Sequence, residues 1–182
     1  MVDPRRQTKR DEQAGRMTRR NFVAVSVTAG IAVTAGCTAE DIPIEVVEED
    51  VEITTPDGIA DAAYIHPSTG AYAGVLIWTD AFGLRASMRD MAKRLAADGY
   101  SVLVPNPFYR VERAPSFPDA SVVSFAEVGQ RIGQLMGSIT AADAAERDAS
   151  AYIPFLDAQP NVDTSKKIGT QGYCMGGPLI VR

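Results

Sequence analysis

The hexapeptide Gly172-Tyr173-Cys174-Met175-Gly176-Gly177 limits the folds open to this chain more than any other stretch. It is a G-x-C-x-G pattern, entered from the strand-like run Lys166 to Gln171 and left through a segment that reads as a helix. A strand that turns into a helix over so few residues holds its central side chain at strained backbone angles, and side chains at Gly172 and Gly176 would collide with what surrounds them. That is the setting of a nucleophile elbow, which sits at the C-terminal end of a strand in a mostly parallel sheet. The competing reading is an inert, buried cysteine in a glycine-rich turn.

The residues upstream have the alternation such a sheet requires. Val51 to Thr55 and Ala60 to His66 read as short strands around the turn signal Pro56-Asp57-Gly58, an antiparallel hairpin at a sheet edge. Gly74 to Trp78 is a continuous apolar run, suited to a strand buried on both faces. Met88, Met91, Ala92 and Leu95 recur at helical spacing between Met88 and Ala97, and Gly99 stops that helix. Ser101 to Val104 reads as the next buried strand, closed by Pro105 and Pro107. A loop from Asn106 to Ala120 is long enough to line a site. Helices over Phe125 to Ser138 and Ala141 to Ala158 follow, the second kinked or ended by Pro154 unless that proline lies beyond its end. The expected fold is α/β, a doubly wound, mostly parallel sheet.

The N-terminus has a different character. Residues 1–36 carry seven of the eighteen Lys and Arg against three acids, which leaves eleven bases and twenty acids for the remainder. A basic head, an apolar run from Phe22 to Gly36 and an acidic body form the layout of an export signal, and fifteen or so residues barely reach across a bilayer. Thr18-Arg19-Arg20-Asn21-Phe22-Val23 resembles the twin-arginine signal, with Arg19 and Arg20 as an address for export machinery. Thr34-Ala35-Gly36-Cys37 resembles a lipoprotein box with Cys37 as the lipidated residue; plain cleavage after small residues is the alternative. The expected organisation is a signal over 1–37, an acidic linker over 38–50 and a folded body from Val51, exported to the periplasm or cell envelope. A net charge of −5 argues against a nucleic-acid partner.

The residues at the motif suggest a chemistry. A thiol at a helix N-terminus has its thiolate favoured, and the Met175 N–H points where an oxyanion would form. A second donor is expected from the Thr79-Asp80-Ala81-Phe82-Gly83 loop at the end of the Val75 to Trp78 run, through the Ala81 N–H. A redox thiol is the other use of an unpaired cysteine, but no resolving cysteine accompanies Cys174. One histidine and two distant cysteines cannot build a zinc shell, and no glycine-rich loop precedes a lysine, so no cofactor is expected. Arg110 and Arg113 could receive a substrate carboxylate or could simply be solvated, and Phe108 and Tyr109 could line an acyl pocket or pack the loop.

Taken together, Gly172-Tyr-Cys-Met-Gly-Gly, the strand leading into Asp80-Ala-Phe-Gly83, Met88-Arg89-Asp90 and Asp98-Gly99-Tyr100 resemble the dienelactone hydrolase family over about Val51 to Arg182. The resemblance implies an α/β-hydrolase fold and cleavage of a small carboxylic ester or lactone. It also implies a cysteine nucleophile, here Cys174, with histidine and aspartate partners, and oxyanion donors at Met175 and Ala81. Asp80 stands where the founding enzymes have a glutamate that helps to activate the thiol; its shorter side chain also suits a loop carboxylate that caps backbone amides. The expected chain order is nucleophile, acid, histidine, yet eight residues follow Cys174 and the one histidine, His66, lies upstream, where it reads as a surface or packing residue. The expectation is therefore a fragment or truncated frame stopping just after the elbow. Two functional classes remain open: an exported hydrolase, and a non-catalytic remnant or envelope lipoprotein that binds a ligand or partner.

Overall fold

The computed structural model describes residues 43–117 and 125–181. Arg19, Arg20, Cys37 and the rest of the signal-like segment, together with residues 118–120 of the long loop, lie outside the described residues.

Five strands form one sheet in the order β1-β2-β4-β3-β5. β1 (Val46–Thr55) and β2 (Gly58–Pro67) are an antiparallel hairpin closed at Thr55↔Gly58, with Pro56 and Asp57 as the turn. β2 continues antiparallel to β4 (Tyr100–Pro105), whereas β3 (Ala73–Trp78) runs parallel to both β4 and β5 (Gly169–Gly172). Parallel pairing thus holds in the half of the sheet that leads to Cys174, and the hairpin makes the opposite edge antiparallel.

Side-chain alternation explains why both faces are covered. Leu76 and Trp78 of β3 join Tyr64 and Leu103 on one face, and Val75 and Ile77 join Ile65, Val102 and Val104 on the other. The second face is covered by α1 (Ala86–Ala97) through buried Met88, Ala92 and Ala96. α1 ends where Asp98 and Gly99 donate back to its last carbonyls, with Gly99 at φ +87°, a left-handed conformation that glycine adopts without a Cβ penalty. The first face is covered by α3 (Ala144–Asp157) through Ala145, Tyr152 and Leu156. Between them in sequence, α2 (Phe125–Thr140) brings Val128 and Leu135 onto Phe108 and Phe117 of the long loop. Helices on both faces of a sheet give the expected doubly wound α/β fold.

Three boundaries differ from the sequence expectation. β1 begins at Val46, inside the stretch expected to be an acidic linker, because its acids belong to a solvent-facing edge strand. Glu48 there takes Arg89 and Lys93 of α1, and Asp50 takes Arg89. Pro154 lies inside α3 without ending it: it is exposed in the final turn, and the helix runs only three residues further. After the elbow the chain forms a 3-10 helix, Cys174–Val181, in place of an α-helix. Pro178 has no N–H for the Cys174 carbonyl, and Gly176 and Gly177 are weak helix formers.

Candidate active site

The last parallel pairing sets the position of Cys174. Gly172 lies opposite Trp78 at the C-terminal end of β3, and the Tyr173 N–H donates to the Trp78 carbonyl at 3.1 Å. The chain then leaves the sheet at once: Cys174 has φ +49°, a left-handed conformation rare for a residue with a side chain, and the Gly176 N–H donates back to the Tyr173 carbonyl at 2.9 Å. A Cβ on Gly172 would stand 2.3 Å from the Gly176 oxygen. One on Gly176 would stand 2.4 Å from the Trp78 oxygen and 2.7 Å from that of Thr79. Every one of these obstacles is backbone, so no side-chain rotation relieves them. The elbow pattern in the sequence and the strained turn in the structure have this common steric cause.

Cys174 itself is a free, exposed thiol, which does not fit the reading of an inert buried cysteine. Gly176 rests on Trp78 and Thr79, so the loop after β3 begins beside the elbow. Phe82 of that loop and Met175 of the elbow pack on one apolar bed of Phe108, Phe117, Val128 and Leu135. Phe82 meets Phe117 edge-on at 5.3 Å. Among the described residues neither the Ala81 N–H nor the Met175 N–H has an acceptor. Two unused backbone donors therefore lie on the elbow and on the loop that begins beside it.

Asp80 is occupied with its own loop. Its Oδ1 accepts the Phe82 N–H at 3.0 Å and one Arg85 nitrogen at 2.7 Å, and its Oδ2 accepts the other Arg85 nitrogen at 2.9 Å. Arg85 also donates to the Gly83 carbonyl and lies over the Phe82 ring at 5.2 Å. Cys174 is not among the partners of Asp80. The short side chain folds back on the amide two residues ahead, and the pairing with Arg85 fixes the loop that carries Ala81. Nothing in the sequence pattern singled out Arg85 for this role.

His66 lies far from the elbow. It is buried in β2, with Nδ1 2.7 Å from the Pro67 carbonyl and its ring 4.8 Å from that of Tyr64. The register puts it level with Ser101 at the start of β4, whereas Cys174 lies beyond the ends of β3 and β5, three strands across. Strand spacing and rise make that separation roughly 20 Å or more.

The long loop is packed inward. Phe108 is fully buried in the apolar bed, and the Tyr109 hydroxyl donates to Asp148 at 2.7 Å and lies 2.8 Å from Thr55 Oγ1. Burial, first, pushes the Tyr109 phenol up to about 12; the bond with Thr55 opposes the rise and the Asp148 carboxylate adds to it. Arg110 is neither solvated nor open: it grips Asp148 with two nitrogens, at 2.6 and 3.0 Å, and Asp57 with two, at 2.7 and 3.0 Å. Arg113 pairs with Glu52. Asp148 is the residue that sequence reasoning missed, although a signal existed. It falls on the Ala145, Tyr152 and Leu156 stripe of α3, where a charge demands a buried partner.

Among the described residues no group of His, Cys, Asp and Glu could hold a metal ion, and no helix is long and apolar enough to cross a membrane.

Several known proteins are similar to this chain. A carboxymethylenebutenolidase of Rhodococcus opacus is 28% identical over 123 residues, 66% of this chain and 42% of that protein. Carboxymethylenebutenolidase 1 of Cupriavidus pinatubonensis strain JMP 134 is 28% identical over 133 residues, 72% of this chain and 53% of that protein. A crystal structure of a dienelactone hydrolase-like promiscuous phosphotriesterase from metagenomic libraries superposes with a TM-score of 0.57 at 25% identity, covering 75% of this chain and 52% of that one. The chain spans about half the length of the curated relatives it matches. The model of the dienelactone hydrolase family matches residues 61–182, a span that takes in most of the sheet, the Asp80–Gly83 loop and the elbow. On this match, and on a fold shared with that dienelactone hydrolase-like structure, the chain belongs to the dienelactone hydrolase family.

Proposed function

We propose that the protein cleaves a small carboxylic ester or lactone with Cys174 as the nucleophile. One observation carries this reading: an exposed thiol held at φ +49° between two glycines whose Cβ positions are closed by backbone. A chain keeps such strain where a side chain must be presented in one direction. In the reaction the Cys174 thiolate adds to the carbonyl carbon, and the oxygen gathers charge against the Met175 and Ala81 N–H groups. The carbon–oxygen bond to the leaving alcohol breaks, and water releases the acid from the thioester. Asp80 acts here as a positioning residue, because it and Arg85 set the loop that carries Ala81. His66, at the other end of the sheet, is not the base.

Alkylation by iodoacetamide and the Cys174→Ala substitution should each abolish hydrolysis of p-nitrophenyl acetate. Undiminished hydrolysis after either removes Cys174 from the mechanism. A second reading is that the chain binds a ligand or partner without turnover; a cooperative melt with no hydrolysis of any aryl ester would support it. The sequence of the basic head, Arg19-Arg20 ahead of an apolar run, supports delivery by twin-arginine export to the periplasm or envelope, with Cys37 as a site of lipidation or an incidental neighbour of the cleavage point.

A further inference from the structure

Resting on the reading of Cys174 as nucleophile, we propose that Arg110 is a positioning residue for the acyl step: clasped between Asp57 and Asp148, it fixes the turn whose Phe108 ring supports both the elbow and the Asp80–Gly83 loop. Arg110 follows Phe108 by two residues, inside one tight turn. The Val111 and Glu112 N–H groups both donate to the Phe108 carbonyl, at 2.8 and 3.0 Å, so ring and guanidinium share one short stretch of closed backbone. Asn106 ties the start of that turn to β2, its N–H donating to the Asp61 carbonyl and its Nδ2 to Asp61 Oδ1. Arg110 ties the far side to two other elements: Asp57 in the turn between β1 and β2, and Asp148 on α3, each accept from two of its nitrogens. The Asp148 side chain is 1% exposed, so this grip has no water to replace it.

Phe108 carries the constraint to the site. It is fully buried in the cluster against which Phe82 and Met175 pack. Gly83, at φ +70°, abuts the ring directly, and a Cβ there would stand 3.1 Å from it. Met175 follows Cys174 and Gly83 closes the loop after β3, so in a close-packed interior a shift of the ring is felt by both segments. The Met175 and Ala81 N–H groups proposed to receive the carbonyl oxygen lie on these two segments, and acylation of Cys174 therefore depends on their alignment. Alkylation by iodoacetamide uses the same thiolate and gathers no charge on an oxygen. The ratio of the two rates separates alignment of the donors from exposure of the thiol.

The test measures modification of Cys174 by p-nitrophenyl acetate and by iodoacetamide in the full chain, with peptide mass spectrometry separating adducts on Cys174 from those on Cys37. With the ester, the sulfur gains the acetyl carbon, the bond to the phenol oxygen breaks and the thiol proton leaves with p-nitrophenol. With iodoacetamide, the sulfur gains the methylene carbon, iodide leaves with the bonding pair and the proton passes to water. Arg110→Met should lower the ratio of acylation to alkylation by about tenfold, and Arg110→Lys, which keeps the charge without the fork, should recover part of the loss. Asp57→Asn loosens one side of the clasp, leaves the Arg110–Asp148 pair in place and should lower the ratio less; it decides the matter where circular dichroism shows Arg110→Met to be unfolded. A ratio equal to that of wild type in every folded variant, a parallel fall of both rates included, overturns the proposal. A wild-type protein that is alkylated at Cys174 but gives no acetyl adduct there overturns the nucleophile reading and the proposal with it, so the wild-type spectrum alone distinguishes the two failures.

Discussion

Substituting Gly176 by alanine tests the steric account of the elbow. The new Cβ would lie 2.4 Å from the Trp78 oxygen, 0.6 Å inside the 3.0 Å limit that real Cβ contacts respect, and 2.7 Å from the Thr79 oxygen. Both obstacles are backbone atoms at the end of β3, so the elbow and the strand must part. The movement also stretches the 3.1 Å bond from the Tyr173 N–H to that same Trp78 oxygen. Overpacking of a rigid site costs about 1–3 kcal/mol, and a lost backbone hydrogen bond adds about 1 kcal/mol, so the expected loss is about 3 kcal/mol. For a chain of 182 residues that is a fall in melting temperature of roughly 6–12 °C. Urea unfolding followed by circular dichroism gives the same quantity from the midpoint. Gly177→Ala is the matched control: its Cβ would meet nothing within 4 Å, and its expected effect is a gain of at most about 1 kcal/mol. A Gly176→Ala midpoint equal to wild type, or above that of Gly177→Ala, would refute the reasoning.

Two further outcomes follow from the cluster that Arg110 organises. Asp148→Asn turns a buried carboxylate that holds two Arg110 nitrogens and the Tyr109 hydroxyl into a neutral amide, and should destabilise the protein by about 3 kcal/mol in urea; a loss under about 1 kcal/mol would mean that the cluster is not tightly coupled to folding. The Tyr109 phenol, raised from 10 to about 12 mainly by burial, keeps its proton longer in the folded state than in the unfolded one. Its contribution is therefore fully present below pH 10 and is lost as pH rises from 10 to about 12. Tyr109→Phe should flatten the fall of stability over that window, and an unchanged slope would argue against the assignment.

The parts of this fold that the sequence makes legible are those whose residues answer to local sterics or to a fixed period. The apolar run Val75 to Trp78, the α1 stripe with its Gly99 stop and the glycines at 172 and 176 are of that kind. The start of β1 is harder to read because Glu48, Glu49 and Asp50 look like linker composition, and only Arg89 and Lys93 of α1 show what Glu48 and Asp50 face. The same holds at the site. Cys174 is visible from its glycines, whereas the partner of Asp80 depends on a loop turning Arg85 back over five residues, and that of Arg110 on a helix 38 residues away. Long-range charge pairing leaves no periodic trace in a sequence.

The pairing of β5 with β3 joins Val75 to Gly169, 94 residues apart, while every other strand pair of the sheet is closer in the chain. At a synthesis rate of about 5–20 residues per second, β3 emerges roughly 5–20 s before its neighbour exists. The turn that presents Cys174 is thus completed only when Gly172 docks opposite Trp78. Until then the sulfur belongs to a segment without the left-handed bend and without the Trp78 and Thr79 backbone against Gly176. Presentation of the thiol is therefore timed by assembly of the sheet: before β5 docks it is a cysteine like any other, and afterwards one held in a left-handed turn.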